Sequence, residues 1–252
     1  FFLKFFLNLD ANKMAQDFVR KKIREIVNDQ RVAERLSPDN IIGCKRLCVD
    51  TGYFETFNRA NVDLIDVNRH PIERITENGI QTSEDVFQLD ALVFATGFDA
   101  MTGALNRIDI RGREGLSLKK EWYAGPRTYL GLAMAGFPNL FIITGPGSPS
   151  VLSNMMPTIE QHVEWISDCI AHLKRHGLSE IEVNKDAQDE WVNHVNDVAA
   201  KTLRFGCNSW YLGANVPGKP RVFMPYIGGM PAYREKCEEV VATGYAGFTL
   251  AL

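Results

Sequence analysis

Lys45 and Arg46 stand side by side in Cys-Lys-Arg-Leu-Cys-Val-Asp-Thr-Gly-Tyr, with Ile41-Ile42 before them and Leu47, Cys48 and Val49 after. Adjacent cations on a solvated face need no partner. Two cations among apolar residues call for anions, such as a nucleotide phosphate or a negatively charged reaction intermediate. Asp50 is an internal competitor through a salt bridge. A second candidate begins at residues 139–144, Asn-Leu-Phe-Ile-Ile-Thr, which read as a buried strand. They run through Gly145-Pro146-Gly147-Ser148-Pro149-Ser150 into a helix. A strand–turn–helix unit aims backbone N–H groups and the positive end of the helix dipole at whatever sits past the strand. Such an end suits anions and electron-rich carbonyls, and a purely structural turn reads the same. Ser150 stands where a third glycine of G-x-G-x-x-G would be, so the loop is not read as a pyrophosphate cradle.

Residues 91–95, Ala-Leu-Val-Phe-Ala, form another short apolar run, followed by Thr96-Gly97 and then Asp99. A continuous apolar run of this length reads as a fully buried strand that delivers the chain to a ligand at its carboxyl end. Trp210 lies in Cys-Asn-Ser-Trp-Tyr, before the Gly- and Pro-rich residues 213–221. An indole there can offer its N–H and its face to a ligand, but a packing anchor for an irregular tail is favoured. Three other features read as inert. Glu160-Gln-His162-Val-Glu164 is not H-E-x-x-H and reads as helix surface. His70 precedes Pro71 in a turn, and neither Ser148 nor Ser153 sits in a G-x-S-x-G elbow.

These residues need elements to hold them. Residues 15–29 have helical periodicity, with Ala15, Val19, Ile23 and Val27 on one face. Ser37-Pro38-Asp39 then interrupts the chain. Residues 62–67 read as a strand. Residues 72–75 and 80–82 read as a hairpin about Asn78-Gly79. A helix starts near Pro157, carries Ile159, Val163, Ile166, Ile170 and Leu173 as its apolar stripe, and stops at Gly177. A further helix spans about 187–203, with Trp191, Val195, Val198 and Leu203 inward. From Phe205 onward the chain reads as ordered by packing rather than by regular structure. The parts are then a helical segment at 1–40, a β-rich block at 41–98 and a mixed region at 99–252.

The 252 residues are 45% hydrophobic, enough for a sizeable core. A net charge of −3 gives no support for nucleic-acid binding. Five cysteines without a CxxC pair fit free thiols in a reducing, cytoplasmic setting and no metal site. No stretch is long and apolar enough for a membrane span. The opening Phe-Phe-Leu-Lys-Phe-Phe-Leu has neither a basic lead nor a cleavage site, so it reads as the truncated end of a buried element in a longer protein.

Together these segments resemble the Baeyer–Villiger monooxygenases, the group of phenylacetone, cyclohexanone and steroid monooxygenases. The resemblance rests on residues 44–58 around Lys45-Arg46, on Leu-Val-Phe-Ala-Thr-Gly-Phe-Asp at 92–99, and on Gly-Phe-Pro-Asn-Leu-Phe at 136–141. It rests also on residues 145–155 and on Asn-Ser-Trp-Tyr at 208–211 with the loop that follows. It implies an α/β fold, part of a two-dinucleotide-binding-domain, Rossmann-like flavoprotein with a helical segment at the N-terminus. Residues 41–98 would be the second half of the NADP-binding domain. Residues 99–252 would be the C-terminal part of the FAD-binding domain.

The cofactors implied are FAD and NADPH, and the substrates are O2 and a ketone, which becomes an ester or lactone. Arg46 is implied as the catalytic cation beside the peroxide formed on the flavin. Lys45 would hold the 2′-phosphate of NADP, and Trp210 the nicotinamide nucleotide. Thr96, Gly97, Asp99, Asn154, Met155 and Met156 are implied as cofactor-binding. Gly145, Pro146, Gly147, Ser148, Ser150, Leu152 and Ser153 would line the substrate pocket. The family's FAD motif, second dinucleotide motif and His/Trp fingerprint have no counterpart in this sequence. The implied partner is therefore the N-terminal half of the same enzyme. The alternatives are an N- or S-oxygenating flavin monooxygenase, or a truncated chain inactive by itself.

Overall fold

The computed structural model describes residues 4–252, so most of the opening apolar run is covered but Phe1, Phe2 and Leu3 lie outside the description. The chain forms two compact units, Phe1–Gly97 and Phe98–Leu252.

The first unit begins with α1 (Lys4–Leu7), α2 (Leu9–Ile26) and α3 (Gln30–Leu36). Asn8 Oδ1 accepts from Ala11 N at 2.9 Å and starts α2. Asp29 Oδ1 accepts from Arg31 N at 2.8 Å and starts α3. The helix expected over 15–29 is α2, which begins earlier and stops at Ile26, because Asp29 is spent on capping α3. Ile23, Val27 and Ala33 form the small core between them. Asn12, fully buried, donates to Phe5 O at 2.8 Å and Ile42 O at 3.0 Å, and accepts from Ile42 N at 3.1 Å. One amide thus anchors the segment leading to Lys45 onto α2.

After α4 (Tyr53–Thr56) the strands β1 (Ile72–Thr76), β2 (Gly79–Thr82) and β3 (Val86–Gln88) pair antiparallel in that order. The hairpin is present, with Thr76 opposite Gly79. Residues 62–67 form no strand. Nor do residues 91–95, and the run is bare: Val93 is 85% exposed and Phe94 67%. A strand is defined by its ladder, and among the described residues 90–97 make no backbone–backbone hydrogen bond. The apolar pattern is real, but no neighbouring strand of this unit receives it.

The second unit contains α5 (Gly103–Asn106), α6 (Leu118–Glu121), α7 (Met155–Arg175), β4 (Glu180–Val183), α8 (Lys185–Ala200), α9 (Met230–Ala242) and β5 (Phe248–Ala251). Strands β4 and β5 pair antiparallel, Glu180 opposite Ala251 and Val183 opposite Phe248. Trp165 and Cys169 of α7, Trp191 and Val195 of α8, and Tyr233, Cys237 and Val240 of α9 meet over this ribbon in the main core. The tail expected to lack regular structure thus carries both α9 and β5. Its helical signal is thin, because only Tyr233, Cys237 and Val240 of α9 face inward.

The face α7 buries is Thr158, Gln161, His162, Trp165, Cys169 and Leu173. Of the expected stripe, Leu173 is buried and Ile166 packs against the core, but Val163 is 44% exposed and Ile170 54%. Trp165 decides this. It has the largest apolar surface on the helix, and its indole N–H reaches Cys237 O at 3.2 Å. The helix stops as expected. His176 is the C-cap, Gly177 follows at φ 67, and Leu178 N closes on Leu173 O at 2.9 Å.

Residues 139–144 are loop rather than strand. Asn139 and Thr144 have φ of 57 and 53. The N–H groups of Asn139, Ile142 and Thr144 go to Ile181 O, Leu132 O and His162 Nδ1, three separate partners instead of one strand. Ile142 is buried, but Ile143 is exposed.

Among the described residues both sheets are antiparallel, no disulfide joins any of the five cysteines, and no His/Cys/Asp/Glu cluster could hold a metal. No described helix is long and apolar enough to cross a membrane.

Candidate functional site

Lys45, Arg46, Thr96 and Gly97 belong to the first unit. Asn12 fixes Ile42, Gly43 and Cys44 are buried, and the chain then emerges with Lys45 and Arg46 exposed. Leu47 and Val49, read as apolar cover, are exposed too, so the two cations stand at the surface. Asp50 Oδ1 accepts from Tyr53 N at 2.8 Å, which engages the competing carboxylate at the entry to α4. Thr96 and Gly97 are exposed at the end of the bare apolar run.

Asp99, Trp210 and residues 145–156 belong to the second unit. Asp99 pairs with Lys219, whose Nζ also donates to Ala100 O at 3.0 Å. Asn215 Nδ2 donates to Phe98 O at 2.8 Å. Residues 98–100 are thus strapped to the Gly/Pro-rich loop that carries Trp210. Trp210 is half-buried and packs on Tyr211, ring centroids 4.3 Å apart.

The turn after Thr144 is tightly held. Ser148 Oγ donates to Gly145 O at 2.7 Å, Thr128 Oγ1 to Pro146 O at 2.6 Å, and Trp191 Nε1 to Gly147 O at 3.0 Å. Gly147 N donates to Met224 O at 2.7 Å. A Cβ on Gly145 would lie 2.5 Å from Gly131 O, so only glycine allows the two loops to touch. Gly145, Pro146, Gly147, Ser148 and Ser150 are buried, while Leu152 and Ser153 are half-buried. The turn surfaces at Asn154, whose Oδ1 accepts from Met156 N at 3.2 Å and caps α7. Met155 and Met156 are exposed at that end. An apolar pair on the positive end of a 21-residue helix offers a flat, electron-rich ligand both contact and a favourable dipole.

Sequence reasoning missed the groups beneath this turn. His162 is not helix surface but fully buried. Its Nδ1 accepts from Thr144 N at 2.9 Å, and its Nε2 lies 2.8 Å from Tyr233 Oη. Tyr233 Oη donates to Leu130 O at 2.6 Å. Burial holds the imidazole down at about 4 and pushes the Tyr233 phenol well above its usual range. The spacing of His162, Trp165 and Cys169 on one helical face was the available signal.

No family model matches the chain. Cyclohexanone 1,2-monooxygenase of Acinetobacter sp. is 41% identical over 97% of it. The chain is a homologue of the Baeyer–Villiger monooxygenases. The crystal structure of OTEMO in complex with FAD and NADP superposes with a TM-score of 0.94 at 40% identity, covering 98% of this chain and 46% of that one. The likeness extends to an N-oxygenating relative, phenazine N-monooxygenase PhzNO1 of Lysobacter antibioticus, 40% identical over 95% of this chain and 44% of that protein. The chain spans about half the length of these relatives, 45% for the cyclohexanone enzyme, and corresponds to the C-terminal half of the Baeyer–Villiger monooxygenases. The mixed helix-and-strand architecture fits part of such a Rossmann-type flavoprotein.

Proposed function

We propose that this chain is the C-terminal half of an FAD- and NADPH-dependent Baeyer–Villiger monooxygenase that inserts one oxygen atom from O2 beside a ketone carbonyl, giving an ester or lactone. The observation that carries this is the homology to cyclohexanone 1,2-monooxygenase along nearly the whole chain. The bare run at 91–95 supports the dependence on a second half: Val93 at 85% and Phe94 at 67% exposure belong to an apolar strip of strand composition without a ladder. The missing N-terminal half is the occupant proposed for it. Residues 41–98 would complete an NADP-binding domain and 99–252 an FAD-binding domain. Cysteines without disulfides favour a cytoplasmic location.

The residues fit the two cofactors. Lys45 is an exposed point charge suited to the 2′-phosphate of NADPH, and Trp210 is a half-buried face for the nicotinamide nucleotide. Thr96, Gly97 and Asp99 mark the passage between the two domains. The flavin would lie at the capped N-terminus of α7 against Asn154, Met155 and Met156. Bound FAD, reduced by NADPH, supplies the oxygen-activating chemistry. Arg46 stabilises the negative charge that develops during oxygen transfer, which a fixed cation does best where water is excluded. Gly145, Pro146, Gly147, Ser148, Ser150, Leu152 and Ser153 shape the wall on which the ketone rests. The buried hydrogen bonds of the turn give that wall a fixed shape.

In the flavoprotein containing this chain, Arg46→Ala is expected to leave flavin reduction intact and abolish ester formation. Unchanged ester yield would overturn the role of Arg46. Lys45→Ala should weaken NADPH more than NADH, and equal losses would remove the phosphate contact. The phenazine N-monooxygenase relative favours a second reading, oxygenation of a ring nitrogen at the same site. N-oxide formation without any ester from a panel of cyclic and acyclic ketones would establish it instead.

A further inference from the structure

His162 and Tyr233 join the two loops that meet beneath the turn, and the direction of every proton in the chain is determined. A backbone N–H can only donate, so Thr144 N–H fixes His162 Nδ1 as an acceptor without a proton. The ring proton is therefore on Nε2, which donates to Tyr233 Oη. Tyr233 Oη, already accepting, gives its own proton to the carbonyl of Leu130, which only accepts. The sequence Thr144 N–H to His162, His162 to Tyr233, Tyr233 to Leu130 is complete, with no member left over. Both ends lie in strained backbone: Thr144 has φ 53 and Leu130 φ 57, a region that costs a β-branched residue most. Strain of this kind persists only where the surroundings hold it. The same two loops are in contact through Gly145 and Gly131.

We propose that His162 is a positioning residue: as a neutral, single-tautomer relay it holds Thr144 in its left-handed conformation and so fixes the turn 145–153 relative to the N-terminus of α7. The functional part of this rests on reading that turn as the ketone-side wall; the relay itself does not. The titratable groups against the ring are Tyr233 and, behind it on α9, Cys237, both kept neutral by burial. The loops contribute only the backbone groups of Thr144 and Leu130. The substitution His162→Gln would keep both bonds, the amide oxygen accepting from Thr144 and the amide nitrogen donating to Tyr233, whereas His162→Leu would keep neither.

The test uses 15N-histidine labelling of the full chain, with the His162 signals assigned by their loss in His162→Gln. The relay requires an unprotonated Nδ1 and a protonated Nε2 at pH 7. A protonated Nδ1, or rapid averaging of the two nitrogens, overturns it. Amide exchange at Thr144 should speed up about tenfold in His162→Leu and recover in His162→Gln. Equal exchange in all three proteins overturns it too. In the holoenzyme, His162→Leu should raise the ketone KM with an unchanged rate of flavin reduction by NADPH, and His162→Gln should restore it. An unaltered KM in His162→Leu refutes the positioning role. Absence of any ketone turnover in the unmutated holoenzyme would refute the monooxygenase reading while the nitrogen and exchange signatures judged the relay separately.

Discussion

Acidification should weaken the second unit in large part through one buried side chain, His162. In the unfolded chain an imidazole takes up its proton near pH 6.5. In the folded chain burial delays this until about pH 4, and no charged group contributes to the shift. Above pH 6.5 neither state carries the proton, so the group adds no pH dependence. Between 6.5 and 4 the unfolded state binds more protons, and stability falls as pH falls. At 1.36 kcal/mol per pH unit the full interval amounts to about 3 kcal/mol. That is a large part of the ~5–15 kcal/mol that holds a domain together. All four tryptophans, Trp122, Trp165, Trp191 and Trp210, lie in the second unit, so tryptophan fluorescence in a urea titration reports on that unit alone. The measurement is the unfolding free energy at intervals from pH 7.5 to 4.5, for the unmutated chain and for His162→Gln. Gln carries no proton to take up, so the difference between the two curves isolates the histidine. The unmutated chain should lose about 2–3 kcal/mol more than the variant over this interval. Parallel curves would refute both the buried neutral state and the argument from burial.

Three further outcomes follow from the packing. Gly145→Ala forces a Cβ to 2.5 Å from the carbonyl oxygen of Gly131 and 3.0 Å from Ile142 Cγ2, neither of which can swing aside. It should cost about 1–3 kcal/mol by fluorescence-detected unfolding, and an unchanged midpoint would remove the close-approach argument. Lys219→Met leaves the Asp99 carboxylate without its partner where the Lys219 side chain is only 11% exposed, and should cost about 1–2 kcal/mol, discounted for an Asp99 that is 30% exposed. Arg234→Met, which breaks an exposed pair with Glu238, should change stability by less than about 0.5 kcal/mol, and equal losses would show that burial does not separate the two pairs.

The sequence by itself determined the local and covalent properties of this protein. Gly177 ends a helix and Asn78-Gly79 belongs to a hairpin, because each effect acts over a few neighbouring residues. The motifs around Lys45-Arg46, Thr96-Gly97, Gly145 and Trp210 sufficed for the likeness to the Baeyer–Villiger monooxygenases, since ancestry is carried by residue order. Helix orientation was not legible. Counting apolar residues on α7 chose Val163 and Ile170, whereas the pairing of Trp165 with Cys237, 72 positions away, turned the helix. Strand character at 91–95 and 139–144 was not decided locally either, because a strand is made by its neighbours. The first run finds none in its unit, and the second gives its N–H groups to three different partners. His162 shows the difference most sharply. Its composition and position made it look like helix surface. Tyr233, 71 residues further along, and the strained amide of Thr144 make it the centre of a buried relay, and only the folded chain brings those three together.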